Sequence, residues 1–259
     1  MLKPFAKMHV NILIRTSIFD FHLKNMSSHQ KVIVVTGCTK GIGRAICNHF
    51  AANGFSIAGY ARSAADVEEM QNTFRKQYPQ QQFHLTTTDA SSKKDVLDFA
   101  LFVQSKFSQV DVLVNNAGVF LPGSIMEEKD GTLETLIQTN VYSAYYLTKA
   151  LHNTIKRNIF NICSIASLQA YPAGASYTIS KFALLGFSKQ LREELTHTNI
   201  KVTSVMPGAV LTNSWSGTDL PESRFIQSTD IGKMIYSVYE LSEGAVVEEL
   251  LIRPQLGDI

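Results

Sequence analysis

Tyr177 and Lys181 stand four residues apart in Tyr177-Thr178-Ile179-Ser180-Lys181. On a helix that spacing puts both side chains on one face. A phenol titrates near ~10 and exchanges protons poorly at neutral pH, but a neighbouring ammonium favours its ionised form. The pair suits proton transfer to a carbonyl oxygen that is being reduced. Ser164, at the end of an apolar run, offers a hydroxyl that can hold the same oxygen beside the phenol. A Tyr-x3-Lys pair on its own is more often an ordinary surface pair, so the rest of the chain must decide.

A second cluster is Thr36-Gly37-Cys38-Thr39-Lys40-Gly41-Ile42-Gly43, which follows a β-branched run and opens a helical pattern. Glycines let the backbone turn tightly and approach a phosphate. The helix start then presents free N–H groups and a positive dipole end to a pyrophosphate. Gly37, Thr39, Lys40, Gly41, Ile42 and Gly43 are the expected cofactor-binding residues of this turn. At the end of the next strand, Gly59-Tyr60-Ala61-Arg62-Ser63 lacks the acid that usually takes a ribose 2′-hydroxyl. Arg62 offers instead a planar fork suited to a 2′-phosphate, and Lys40 adds a second positive charge. The cofactor expected is therefore NADP(H).

These residues need a frame. From Lys31 onward, short β-branched runs alternate with amphipathic segments. The pattern predicts strands at Val32–Thr36, Phe55–Tyr60, Gln82–Thr87, Val110–Val114, Asn158–Cys163, Ile200–Met206 and Val246–Ile252. Helices are predicted at Ile42–Ala52, Ala64–Gln77, Lys93–Phe107, Leu133–Lys156, Ala175–Thr196 and Ile231–Leu241. Buried strands joined by crossover helices make an α/β, doubly wound domain of Rossmann type, with a central, mainly parallel seven-stranded sheet flanked by helices.

The 259 residues are 45% hydrophobic and 18% charged, which excludes a disordered chain. A net charge of +2 gives no global field for nucleic acid or an anionic membrane, so neither is expected as a partner. Cys38, Cys47 and Cys163 match no metal-ligand spacing, and no metal is expected. Their use suggests a reducing compartment, the cytoplasm. Residues 1–29 read as an N-terminal extension, disordered or upstream of a mis-assigned start near Met26. Residues 30–259 read as the single oxidoreductase domain.

Taken together, the motifs resemble the short-chain dehydrogenase/reductase family. They are the Thr36–Gly43 turn, Asn115-Asn116-Ala117-Gly118, Asn140 in Gln138-Thr139-Asn140-Val141, Ser164, Tyr177-x3-Lys181 and Pro207-Gly208. The resemblance implies hydride transfer from a nicotinamide, with Tyr177 as general acid in reduction. It implies that Lys181 holds the nicotinamide ribose and lowers the tyrosine pKa, that Ser164 binds the substrate oxygen, and that Asn140 supports a relay water. It also implies cofactor contacts at Asp89, Asn116, Ala117, Gly118, Pro207, Gly208, Val210 and Thr212. Asn115 reads better as a structural strand-end residue, and Asp89 equally as a turn residue or cap. Relatives pair through helices matching Leu133–Lys156 and Ala175–Thr196, so a homodimer or homotetramer is expected.

Two departures stand out. The segment Leu151–Phe160 is shorter than in most relatives, so the helix before Ser164 should end early or connect tightly. The ending Val246–Pro254 and Gly257-Asp258-Ile259, with Trp215, resembles bacterial sepiapterin-reductase-like members of the family. Leu211–Phe225 is expected to form a lid, with Phe120, Tyr171 and Trp215 as substrate walls. The substrate expected is a small ketone, diketone or pterin side chain. The alternatives are a 3-oxoacyl-(acyl-carrier-protein) reductase and a non-catalytic NADP-binding regulator.

Overall fold

A chain rich in Val and Ile at 32–35, 57, 112–114, 159–162 and 202–205 can bury both faces of a sheet, and it does so. The computed structural model describes residues 30–215 and 217–259. The extension expected at 1–29 lies outside the described residues. Among the described residues, seven strands form one parallel sheet: β1 (Val32–Thr36), β2 (Ser56–Ala61), β3 (Phe83–Thr87), β4 (Val110–Asn115), β5 (Ile155–Ile162), β6 (Lys201–Pro207) and β9 (Glu249–Ile252). Their order is β3-β2-β1-β4-β5-β6-β9. The two remaining short strands, β7 (Val210–Leu211) and β8 (Ile226–Gln227), pair with each other. The chain runs outward from β1 to β3, then returns to lay β4 on the other side of β1. That reversal opens a crevice beyond the carboxyl ends of β1 and β4, where doubly wound sheets bind ligands.

Helices cover both faces. Helices α1 (Gly41–Ala52), α2 (Ala64–Gln77) and α7 (Ser228–Glu240) pack on one side, with Ile46, Phe50, Met70, Ile231 and Ile235 in a shared core. Helices α3 (Lys93–Lys106), α5 (Ser143–Leu151) and α6 (Ala175–Glu194) cover the other. Helix starts are set by local chemistry. Ser63 caps α2 by accepting from Asp66 N–H, and Ser92 caps α3 by accepting from Asp95 N–H.

The expected long helix Leu133–Lys156 is corrected in two ways. It begins as α4 (Thr132–Ile137), passes through a π-helical turn at Gln138–Tyr142 and continues as α5. It then stops at Leu151, and Ile155 already opens β5. Only His152-Asn153-Thr154 joins them, with Thr154 N–H returning to the Leu151 carbonyl at 2.8 Å. The early end expected from the short Leu151–Phe160 segment is therefore present. The last strand is also shorter than expected, beginning at Glu249 rather than Val246.

A buried seam of side chains crosses the sheet under α6. Asn115 on β4 donates to Thr148 Oγ1 on α5 at 3.0 Å and to Asn161 Oδ1 on β5 at 2.8 Å. Asn161 donates to Ser188 Oγ on α6 at 2.9 Å, and Ser204 Oγ on β6 lies 2.8 Å from the same hydroxyl. Asn115 is thus a structural residue, as its place at a strand end suggested.

Candidate active site

The glycine turn leaves β1 with Gly37 at φ +65° and Gly41 at φ +53°. Both angles lie in the left-handed region that glycine adopts without a Cβ penalty. The turn is fastened before any ligand arrives. Thr36 Oγ1 accepts from Asn116 N–H at 2.9 Å and Ala117 N–H at 2.7 Å, while Asn116 Nδ2 donates to the Thr36 and Gly37 carbonyls. Asn116 and Ala117 therefore brace the turn against β4. Gly43 packs so closely that an added Cβ would meet Gly37 O at 2.2 Å and Asn116 Nδ2 at 2.6 Å. The listening partners are backbone and a fixed amide, so they cannot swing away. Gly43→Ala is expected to destabilise the protein by about 1–3 kcal/mol, which urea unfolding would measure, and to weaken nucleotide binding by at least about tenfold.

No side chain caps the N-terminus of α1, so its first N–H groups face the crevice without one. Thr39 is buried and Ile42 is partly buried at the start of this helix. Across the crevice, Thr212 Cγ2 would lie 3.1 Å from a Cβ on Gly41, which brings the Pro207–Thr212 segment to the glycine turn. Gly208 N–H donates to Ile252 O at 2.8 Å, and a Cβ on Gly208 would meet Pro254 Cδ at 2.9 Å. Val210 turns its side chain into the core.

At the other end of the crevice, Arg62 is exposed where β2 ends. Lys40 is not a free charge: its Nζ lies 2.7 Å from Asp66 Oδ2. Asp89 accepts from Ser91 N–H at 2.9 Å and Ser91 Oγ–H at 2.8 Å. These bonds, with Arg62 nearby, hold its carboxyl below the usual carboxylate range. Asp89 is thus the turn residue that leads into α3.

The π-helical turn carries Asn140 inward, and such turns recur at functional sites. Asn140 Oδ1 accepts from Val119 N–H at 2.8 Å, and Nδ2 donates to Val119 O and to Ser180 Oγ, each at 3.0 Å. Gly118 passes close by: a Cβ there would lie 3.3 Å from Asn140 Oδ1 and 3.6 Å from Lys181 Nζ. Lys181 is buried, donates to Ile162 O at 2.8 Å, and has its Nζ 5.7 Å from the centre of the Tyr177 ring. Burial pulls the Lys181 ammonium down to about 8, opposed by nearby Cys163.

Ser164 follows β5 and accepts from Ala166 N–H at 3.1 Å. Its hydroxyl lies close enough to Tyr177, in the first turn of α6, to favour the ionised phenol. The net shift of the Tyr177 pKa is upward. Burial raises it, the Ser164 hydroxyl opposes, and Cys163 adds to the rise. The reason is desolvation: little water reaches the oxygen to solvate a phenolate. At neutral pH the group is a phenol with a proton to give.

One of the expected wall residues meets Tyr177, and a second lies near it. Phe120 stands edge-on to its ring, with centres 5.0 Å apart and planes at 87°. Tyr171 folds over Gly174, where an added Cβ would meet its ring at 2.8 Å. Burial, with Tyr177 beside it, pushes the Tyr171 phenol up to about 12. Trp215 instead packs on Phe225 at 5.0 Å, anchoring the 211–225 segment at its base.

Sequence reasoning missed contacts that tertiary structure makes at two places. Asp66 on α2 reaches Lys40. Ser176, one residue before Tyr177, donates to Glu128, and Gly123 N–H donates to Ala173 O at 3.1 Å. The loop after β4 is thereby stapled to the start of α6. None of these contacts has a local sequence signal. Among the described residues, no group of His, Cys, Asp or Glu is arranged to hold a metal ion. Among the same residues, no helix is long and apolar enough to cross a membrane.

Comparison with known proteins agrees with this geometry. Residues 31–222 match the model of the short chain dehydrogenase family. The sepiapterin reductase of Chlorobaculum tepidum is 30% identical over 245 residues, covering 89% of this chain and 98% of that protein. The 3-oxoacyl-(acyl-carrier-protein) reductase of Escherichia coli is 32% identical over 192 residues, 73% of this chain and 77% of that protein. The crystal structure of L-sorbose reductase from Gluconobacter frateurii, complexed with NADPH and L-sorbose, is similar at a TM-score of 0.80. It is 26% identical and covers 86% of this chain and 95% of that one.

Proposed function

Because the chain belongs to the short chain dehydrogenase family, we propose that it reduces a small carbonyl compound to an alcohol with NADPH. The observation that carries this reading is the grouping of Tyr177, Ser164 and buried Lys181, whose Nζ lies 5.7 Å from the centre of the Tyr177 ring and is fixed by Ile162 O. The residues present fit the cofactor. Gly37 and Gly41 open the backbone, α1 offers uncapped N–H groups, and Arg62 with Lys40 faces the 2′-phosphate end. Bound there, NADPH supplies the hydride.

The chain's own residues do the rest. Ser164 holds the carbonyl oxygen, and Tyr177 gives that oxygen its proton. Lys181, fixed by Ile162 O, holds ribose hydroxyls beside the phenol and relays the replacement proton. Asn140 keeps the loop at Val119 in place and supports a water on that relay. Asp89, Asn116, Ala117, Gly118, Thr39, Ile42, Pro207, Gly208, Val210 and Thr212 shape the remaining cofactor walls. Phe120 and Tyr171 bound the substrate with aromatic surface, which favours a flat ketone, diketone or pterin side chain.

The similarity to the 3-oxoacyl-(acyl-carrier-protein) reductase supports a second reading, reduction of a carrier-bound thioester. The loop beside the site opposes it: exposed Glu127 and Asp130 outnumber Lys129, a poor surface for an acidic carrier. A homodimer or homotetramer is supported by exposed Tyr145 on α5 and by exposed Ile179 and Phe182 on α6. Free, buried Cys38, Cys47 and Cys163 support a reducing compartment, the cytoplasm.

The test is NADPH oxidation with sepiapterin, an aromatic diketone and an acetoacetyl thioester, each repeated with NADH. Preference for either of the first two supports the reading, and preference for the thioester overturns it. In the same assay Arg62→Ala is expected to raise the NADPH dissociation constant about tenfold or more while moving that of NADH less than about twofold. Equal effects would remove Arg62 from phosphate recognition.

A further inference from the structure

We propose that Asp66 sets the cofactor preference of this enzyme by competing with the 2′-phosphate of NADPH for the Lys40 ammonium. The inference rests on the NADPH reading above. Lys40 and Arg62 are the two cations at the phosphate end of the crevice, but they are not equivalent. Arg62 is exposed, and the nearby acid Asp89 has its Oδ1 engaged by Ser91. Lys40 is already held by a carboxylate at 2.7 Å.

Asp66 is built into that position. Its backbone N–H donates to Ser63 Oγ at 3.3 Å, which fixes the first turn of α2 directly after Arg62. From that turn the carboxylate reaches Lys40 Nζ at 2.7 Å. Lys40, and Ser63 after it, lower its pKa from the ordinary carboxylate value and keep it ionised.

The consequence is a site with an internal rival. An ammonium has three donors, and Lys40 is the more exposed partner of the pair, with 58% of its side chain accessible against 25% for Asp66. A phosphate oxygen can reach Lys40, but it must do so beside a negative charge. NADH carries a hydroxyl at that position, which a carboxylate accepts from rather than repels. Although β2 ends without an acid, α2 supplies one through space. Asp66 thus weakens NADPH binding and preserves a measurable affinity for NADH.

The experiment measures dissociation constants of NADPH and NADH for the full-length protein by fluorescence titration, for wild type and Asp66→Asn. Asparagine keeps the helix start and removes the charge. At low ionic strength, NADPH is expected to bind about fivefold more tightly to the variant, with NADH unchanged or up to about twofold weaker. At ~0.5 M salt the gain should fall below about twofold, because the effect is a screened one. Asp66→Ser, which also removes the carboxylate, should shift NADPH in the same direction. Parallel changes for both nucleotides would make Asp66 a helix cap only and overturn the proposal. Weaker NADPH binding with NADH unchanged would make Asp66 the group that orients Lys40, which also overturns it. Wild-type protein that binds NADH better than NADPH would fail the cofactor reading itself, before the variant is considered.

Discussion

Tyr177→Phe is expected to lower kcat for carbonyl reduction by about a thousandfold, within the range that loss of a positioned proton donor produces. The substitution removes one oxygen and leaves the ring, so the edge-on contact with Phe120 survives. NADPH affinity should stay within about twofold, since the phenol holds the reacting carbonyl and not the phosphates. The pH profile carries a second signature. Burial holds the Tyr177 pKa above its ordinary value. The donor is thus fully protonated through the neutral range, and wild-type reduction should be flat there and fall only under alkaline conditions. Steady-state rates from pH 6 to 10, with Kd from fluorescence titration, test both parts. A variant retaining more than about a tenth of wild-type kcat would remove Tyr177 as the donor.

Lys181→Met is expected to cost activity and to raise stability. Catalysis should fall by about a hundredfold or more, because the phenol loses the group that recharges it. Stability follows from desolvation. Burial takes the Lys181 pKa from 10.5 to about 8, a penalty of roughly 3 kcal/mol against the charged form near neutral pH. Methionine avoids that penalty but leaves Ile162 O without its donor, which costs about 1–2 kcal/mol. The net gain expected near pH 7 is about 1 kcal/mol. The pH dependence has a definite sign. Between about 8 and 10.5 the unfolded chain binds more protons at this position than the folded one. Its contribution to stability is therefore complete above 10.5 and is lost as pH falls towards 8. The advantage of the methionine variant should shrink between pH 7.5 and pH 10, which urea unfolding at the two values measures. A variant that is less stable by the same amount at both values would show that the ammonium is not strained by burial.

The elements were legible where a boundary has its own chemistry. Ser63 and Ser92 cap the helices they precede, and Ala64–Gln77 begins and ends where the pattern puts it. The glycine turn was legible because only glycine meets its φ angles and its clearance at Gly43. The segment Leu133–Lys156 was not. The π-helical turn at Gln138–Tyr142 contains no glycine or proline to mark it in the sequence, and Lys156 and Arg157 at the start of β5 look like a solvated helix face. The site residues Ser164, Tyr177 and Lys181 were visible as spacing. Their electrostatics were not, because the direction of the Tyr177 pKa depends on water excluded by residues far away in sequence. Asp66 and Glu128 illustrate the same limit. Each acts on a partner 26 or 48 positions distant, and only the folded sheet brings them together.

The asparagine and serine seam under α6 bears on how the chain finds this sheet at all. Parallel strands of Val and Ile can mate in several alignments with similar burial, and each alignment is a trap on the way to the native state. A slip of β5 by one residue would turn Asn161 to the opposite face and bring Phe160 or Ile162 against Ser188. A slip by two would restore the face but carry Asn161 about 6.6 Å away from both of its partners. Either error would bury amides without bonds, at about 1–3 kcal/mol each. Asn115, Asn161, Ser188 and Ser204 therefore single out the native alignment, the one in which these buried groups are all bonded to one another.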